Sequence, residues 1–157
     1  MAACLLLAAL LMVVGARSVT LIESDEAFER HVLADSRASL FLFTSSSSEA
    51  SAARSTAALD MLHDVGAALS PLLTTAHGDA GVLKATATEF NIRTRRCPKL
   101  LLFAQRARQA EVLDLGDDLS GGRVESQVRA LLAGLAIAAD GAALKATLAV
   151  GGPADEL

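Results

Sequence analysis

Two short runs, "LFLF" at 40–43 and "KLLLF" at 99–103, carry apolar side chains on both faces of an extended backbone. Side chains alternate between the faces of a strand, so such runs predict central strands covered by helices on each side. Around them the apolar spacing lengthens. Ala58, Leu62, Val65 and Leu69 recur at helical intervals in an alanine-rich stretch. They predict a long helix that opens in "TSSSSEAS" and ends before Pro71. Phe28, Val32 and Leu33 give a shorter helix its apolar face, with Ser24 as cap and Asp25 and Glu26 complementing its first-turn dipole. Val124, Val128, Leu131 and Leu135 mark the buried face of a third helix after "SGGR".

The remaining elements are shorter. "VTLIES" predicts a strand at 19–22, and "LLTT" another at 72–75. A turn punctuated by Gly78 and Gly81 follows, then a short helix through Phe90. "EVLDL" at 111–115 pairs with 99–103 through the polar turn "QRARQ", and a weaker alanine-rich helix is expected over 142–150. Two helix-covered strands joined by a helical crossover, then a hairpin and a closing helix, imply an α/β protein with a mixed central sheet flanked by helices.

The chain ends add a location. "MAACLLLAALLMVVGARS" has an uncharged apolar core and small residues at Gly15 and Ala16, the layout of a secretory signal peptide over residues 1–16. The run is too short for a comfortable spanning helix, which needs roughly 20 apolar residues. No stable membrane insertion is therefore expected after cleavage. The alternatives are an uncleaved anchor or a buried helix. At the other end Ala154, Asp155, Glu156 and Leu157 resemble a KDEL-type retrieval signal with alanine in place of lysine. The pair of signals predicts residence in the endoplasmic reticulum lumen and a retrieval receptor as one partner.

Composition narrows the function. The 157 residues carry a net charge of −4 and contain no tryptophan or tyrosine, which argues against nucleic acid as a partner. His31, His63 and His77 show no metal-ligand spacing and are expected at surface helix or turn positions. There is no nucleophile elbow, no phosphate-cradling glycine loop and no evident carboxylate pair, and neither metal nor cofactor is expected. Of two cysteines, Cys4 leaves with the signal, so Cys97 has no intramolecular disulfide partner. Arg93, Arg95, Arg96 and Lys99 crowd Cys97 and would lower its pKa, favouring thiolate. The competing reading is a small, inert, half-buried residue.

The element order, with "FNIRTRRCPKLLLF" before the hairpin and "LSGGR" after it, resembles the thioredoxin fold. Pro98 matches the family's cis-proline, and "LSGGR" is similar to a phrase of protein disulfide isomerase domains. The resemblance spans residues 19–135 and implies a thioredoxin-like domain at 17–138, followed by a C-terminal helix and ADEL retrieval-like tail at 139–157. It also exposes a departure. The family places Cys-x-x-Cys where the central strand enters the long helix, because that helix N-terminus stabilises a thiolate. The aligned positions here are Ser47 and Ala50, and the acidic residue often buried in the central strand aligns with Phe41.

The resemblance therefore implies a protein without dithiol–disulfide activity. What remains is the family's docking surface for unfolded or partner polypeptides, with Ser45, Ser46, Ser47, Ser48, Cys97 and Pro98 as candidate contacts. Three classes stay open. One is a redox-inactive chaperone or escort; another is a thiol-retention factor forming mixed disulfides through Cys97. The last is a structural or assembly domain without clients. For the serines the plain alternative is a capped helix start, and for the basic cluster a solvated loop or a rim selecting acidic segments.

Overall fold

In the computed structural model, which describes residues 19–35, 37–70, 72–104, 110–113, 115 and 119–139, the two doubly apolar runs lie side by side at the centre of a sheet. The chain runs through β1 (Thr20–Leu21), α1 (Asp25–Phe28) continuing as a π-helical turn (Glu29–Leu33), β2 (Ala38–Thr44), α2 (Glu49–Leu69) and β3 (Leu73–Asp79). It continues through α3 (Lys84–Glu89), a 3-10 turn (Thr94–Arg96), β4 (Lys99–Phe103), β5 (Ala110–Leu113) and α4 (Gly121–Ala139). Among the described residues the strand order is β1-β3-β2-β4-β5. β1 and β2 run parallel to β3, β4 is antiparallel to β2, and β5 is antiparallel to β4.

The alternation in β2 sorts its side chains into two cores. Leu40 and Leu42 pack with Ala58, Met61, Leu62, Val65 and Leu69 of α2 and with Val124 and Val128 of α4. Phe41 and Phe43 face the other way, onto Phe28 of α1, Leu83, and Phe103 of β4. The Phe28 ring centroid lies 4.9 Å from that of Phe41 and 5.5 Å from that of Phe103, both edge-on. Covering both faces of the sheet removes the apolar runs from water, the dominant favourable term in folding.

Local signals close the helices. Ser24 Oγ accepts from the Ala27 N–H at 3.1 Å, and Ser48 Oγ accepts from the Ser51 N–H at 3.1 Å, so each helix start has an otherwise orphaned amide satisfied. Leu69 ends α2 as expected. The polar residues buried between layers are paired too: Ser39 Oγ lies 2.8 Å from Thr74 Oγ1 and donates to the Val32 carbonyl.

Four expectations need correction. β3 does not stop at residue 75; it continues through Ala76, His77 and Gly78 to Asp79, pairing along its whole length with β2. Gly78 is a strand residue whose missing side chain is the point: a Cβ there would lie 2.6 Å from Leu83 Cδ1 and 2.8 Å from the Ile22 carbonyl oxygen. Close approach of Leu83, which precedes α3, and Ile22, which follows β1, not turn geometry, demands the glycine. His77 is consequently a half-buried strand residue rather than a surface turn, and desolvation first, then the His63 charge, lowers its pKa. β1 is shorter than expected, although the Ile22 N–H still donates to the His77 carbonyl at 2.8 Å. The signal stretch 1–16, Pro71, the "QRARQ" turn, the Leu135 side chain, the 142–150 helix and the ADEL tail lie outside the described residues.

Candidate functional site

β2 and β3 end together, with Thr44 and Asp79 as register partners, and β4 begins beside them, with Lys99 opposite Phe43. Three loops therefore meet at the carboxyl ends of the parallel strands, the end where α/β sheets open a crevice. One is the serine run into α2, the second is the Asp79 turn, and the third is the arginine turn that reaches Cys97 and Pro98. The Cys97–Pro98 peptide is cis, as the family likeness implies.

The serines do different work. Ser45 is buried at 2% exposure, its N–H donating to Ser55 Oγ at 3.0 Å and its carbonyl accepting from the same hydroxyl at 3.2 Å. Its own hydroxyl donates to Ser47 Oγ at 2.9 Å and accepts the Ser47 N–H at 3.2 Å. Ser48 caps α2 and donates to Ser51 Oγ. Ser46 and Ser47 are exposed, and Ser46 Oγ donates to Asp79 Oδ2 at 3.2 Å. The capped helix start thus explains Ser45 and Ser48, while Ser46 and Ser47 face outward.

Asp79 was absent from the sequence-derived set. Its Oδ1 accepts the Gly81 N–H at 2.6 Å while Oδ2 takes Ser46, so one carboxylate ties the β3 turn to the serine loop. The signal that would have found it is positional: a polar residue ending a parallel strand, visible only once β3 is extended through "HGD".

Cys97 overturns the thiolate expectation. It is buried at 3% exposure, and its Sγ donates to the Arg93 carbonyl at 3.6 Å. Burial, reinforced by the Asp79 carboxylate and only partly offset by Lys99, pushes the thiol up to about 11. Arg93, Arg95 and Arg96 are exposed to water, where their charge is screened. Pro98 is buried as well, and the Cys97 N–H is taken by the Thr94 carbonyl at 3.1 Å.

Solved structures share this architecture. The Trx4 domain of ERdj5 superposes with a TM-score of 0.60 at 9% identity, covering 74% of this chain and 96% of that domain. The fold is thioredoxin-like. A thioredoxin from Trypanosoma brucei brucei matches at a TM-score of 0.57 and 15% identity over 74% of this chain and 92% of that one. A designed protein matches at 0.58 and 20% identity, covering 73% and 98%. No family model matches the sequence, and no curated protein does. On the thioredoxin-like frame Ser47 stands just before the α2 cap and Ala50 in its first turn, both exposed. Phe41, at the position aligned with the family's buried acid, is fully buried among aromatic rings.

Proposed function

We propose that this chain is a redox-inactive, protein disulfide isomerase-like protein of the endoplasmic reticulum lumen that docks unfolded or partner polypeptides, as a chaperone or escort. The observation that carries the reading is the pairing of a thioredoxin-like α2 start with Ser47 and Ala50 at the two positions aligned with a dithiol. A hydroxyl and a methyl group cannot cycle between thiol and disulfide. Around them the serine loop and the Asp79 turn meet at the carboxyl ends of the parallel strands, where Ser46 and Ser47 are exposed.

Lumenal residence rests on the signal-like stretch at 1–16 and on Ala154, Asp155, Glu156 and Leu157. Imaging of the untagged chain tests it, a cytosolic pool being the contrary result. The thiol-retention reading is the weaker one, because a buried thiol with a raised pKa is a poor nucleophile. Non-reducing gels of the wild type and Cys97→Ser, run after thiol blocking, test it directly.

The decisive experiment has two arms. In the first, the full chain with dithiothreitol reduces insulin no faster than dithiothreitol alone. In the second, a carboxymethylated, permanently unfolded protein binds the chain in fluorescence anisotropy, and Ser46→Ala with Ser47→Ala weakens it several-fold, the scale of one or two hydrogen bonds. Catalytic insulin reduction sinks the redox-inactive reading. Absence of binding leaves the structural or assembly role standing instead.

A further inference from the structure

We infer that the docking site proposed above selects extended polypeptide segments rich in aspartate and glutamate, through the exposed turn that carries Arg93, Arg95 and Arg96. The inference rests on the polypeptide-docking reading and adds the chemistry of the occupant. The turn is held by its own backbone. The Arg96 N–H donates to the Arg93 carbonyl at 2.8 Å, the Cys97 N–H donates to the Thr94 carbonyl, and the buried Cys97 thiol anchors the same Arg93 carbonyl from below. Arginines on a fixed turn meet a partner without the ordering cost of a mobile loop.

Among the described residues these guanidinium groups have no ion-pair partner. The ion pairs among the described residues join Arg37 to Asp35 and Arg129 to Glu125, and none involves the turn. The nearby carboxylate, Asp79, is engaged by Ser46 and Gly81. Lys99 adds a further cation at the start of β4. A concentration of exposed positive charge on a chain of net charge −4 is a local feature with a direction, and it draws carboxylates to this end of the sheet.

Nucleic acid fits less well. Phe28, Phe41, Phe43 and Phe103 are fully buried, Phe90 is half-buried, and the chain has no tryptophan or tyrosine, so base-stacking platforms are lacking. The carboxylates of an extended peptide need only charge and donors. Arginine supplies both in a planar fork that matches a carboxylate.

The test uses the full chain and two labelled peptides of one sequence, one carrying Asp and Glu and the other their amides, followed by anisotropy. The acidic peptide is expected to bind at least about fivefold more tightly, from several exposed pairs each contributing modestly. That preference shrinks as salt rises to physiological strength, where the screening length is about 8 Å. Arg95→Glu with Arg96→Glu abolishes the preference. Neutralising Arg93, Arg95 and Arg96 to Gln repeats the test with less risk to folding, and the salt titration needs no variant. Equal binding of the two peptides overturns the selectivity and leaves docking intact. Failure of both peptides to bind overturns both. A single-stranded oligothymidylate binding as tightly as the acidic peptide overturns the choice of polypeptide.

Discussion

Four cationic residues surround Cys97 in the sequence, and Coulomb reasoning alone makes its thiol acidic. Distance and solvent decide otherwise. Two charges 4 Å apart in water interact by only about 1 kcal/mol, and Arg93, Arg95 and Arg96 sit in water. Burial penalises the thiolate directly, and Asp79 adds to the penalty. Alkylation of Cys97 by iodoacetamide in the folded chain should therefore rise through about pH 11, while urea-unfolded chain titrates nearer the ordinary 9.0. The sign for stability follows: the folded state holds the proton more tightly, so this contribution is present below the unfolded value and is lost as pH climbs toward the folded one. At Phe28 the governing quantity is packing. Its ring touches those of Phe41 and Phe103 at 1% exposure, and Phe28→Ala should lower stability by about 3–5 kcal/mol in urea unfolding.

Among the elements, α1 shows what short helices need. Four residues cannot nucleate a stable helix in water, so tertiary contacts must hold it. Phe28 supplies the apolar anchor, and Asp25 supplies a polar one by accepting from both the N–H and the hydroxyl of Thr86 at the start of α3. Those bonds, the Thr86 hydroxyl first, lower the Asp25 pKa below its ordinary 3.8 despite some desolvation. A lowered carboxyl pKa stabilises the fold above the unfolded value and loses that contribution as pH falls through the folded one. Asp25→Ala should cost about 1 kcal/mol near neutral pH, a modest value because the carboxylate is partly solvated, and the difference from wild type should vanish in acid unfolding curves. β3 teaches the complementary lesson. Glycine and aspartate are turn formers in isolation, but "HGD" is drawn into the sheet by pairing with β2, and Gly78 admits Leu83 and Ile22.

For the whole molecule, the proposed loss of redox chemistry lies in two side chains rather than in the thioredoxin-like architecture. Ser47→Cys with Ala50→Cys should yield a chain that reduces insulin measurably with dithiothreitol, against none for the parent. Its rate should stay below that of a natural dithiol enzyme, because Phe41 puts an aromatic ring where the family often buries a carboxyl group. The sequence by itself determined the secondary elements with strong periodicity, the central place of residues 40–43 and 99–103, the cap at Ser24, and the absence of a cysteine pair at the start of the long helix. These depend on local side-chain spacing and on residue identity, which a linear reading contains. Only the tertiary structure decided that Cys97 is sealed and protonated, that Ser45 turns inward while Ser46 and Ser47 face water, and that Asp79 joins the serine loop. Each of these follows from contacts between residues far apart in the chain, where pairing register and desolvation outweigh what neighbouring residues prefer.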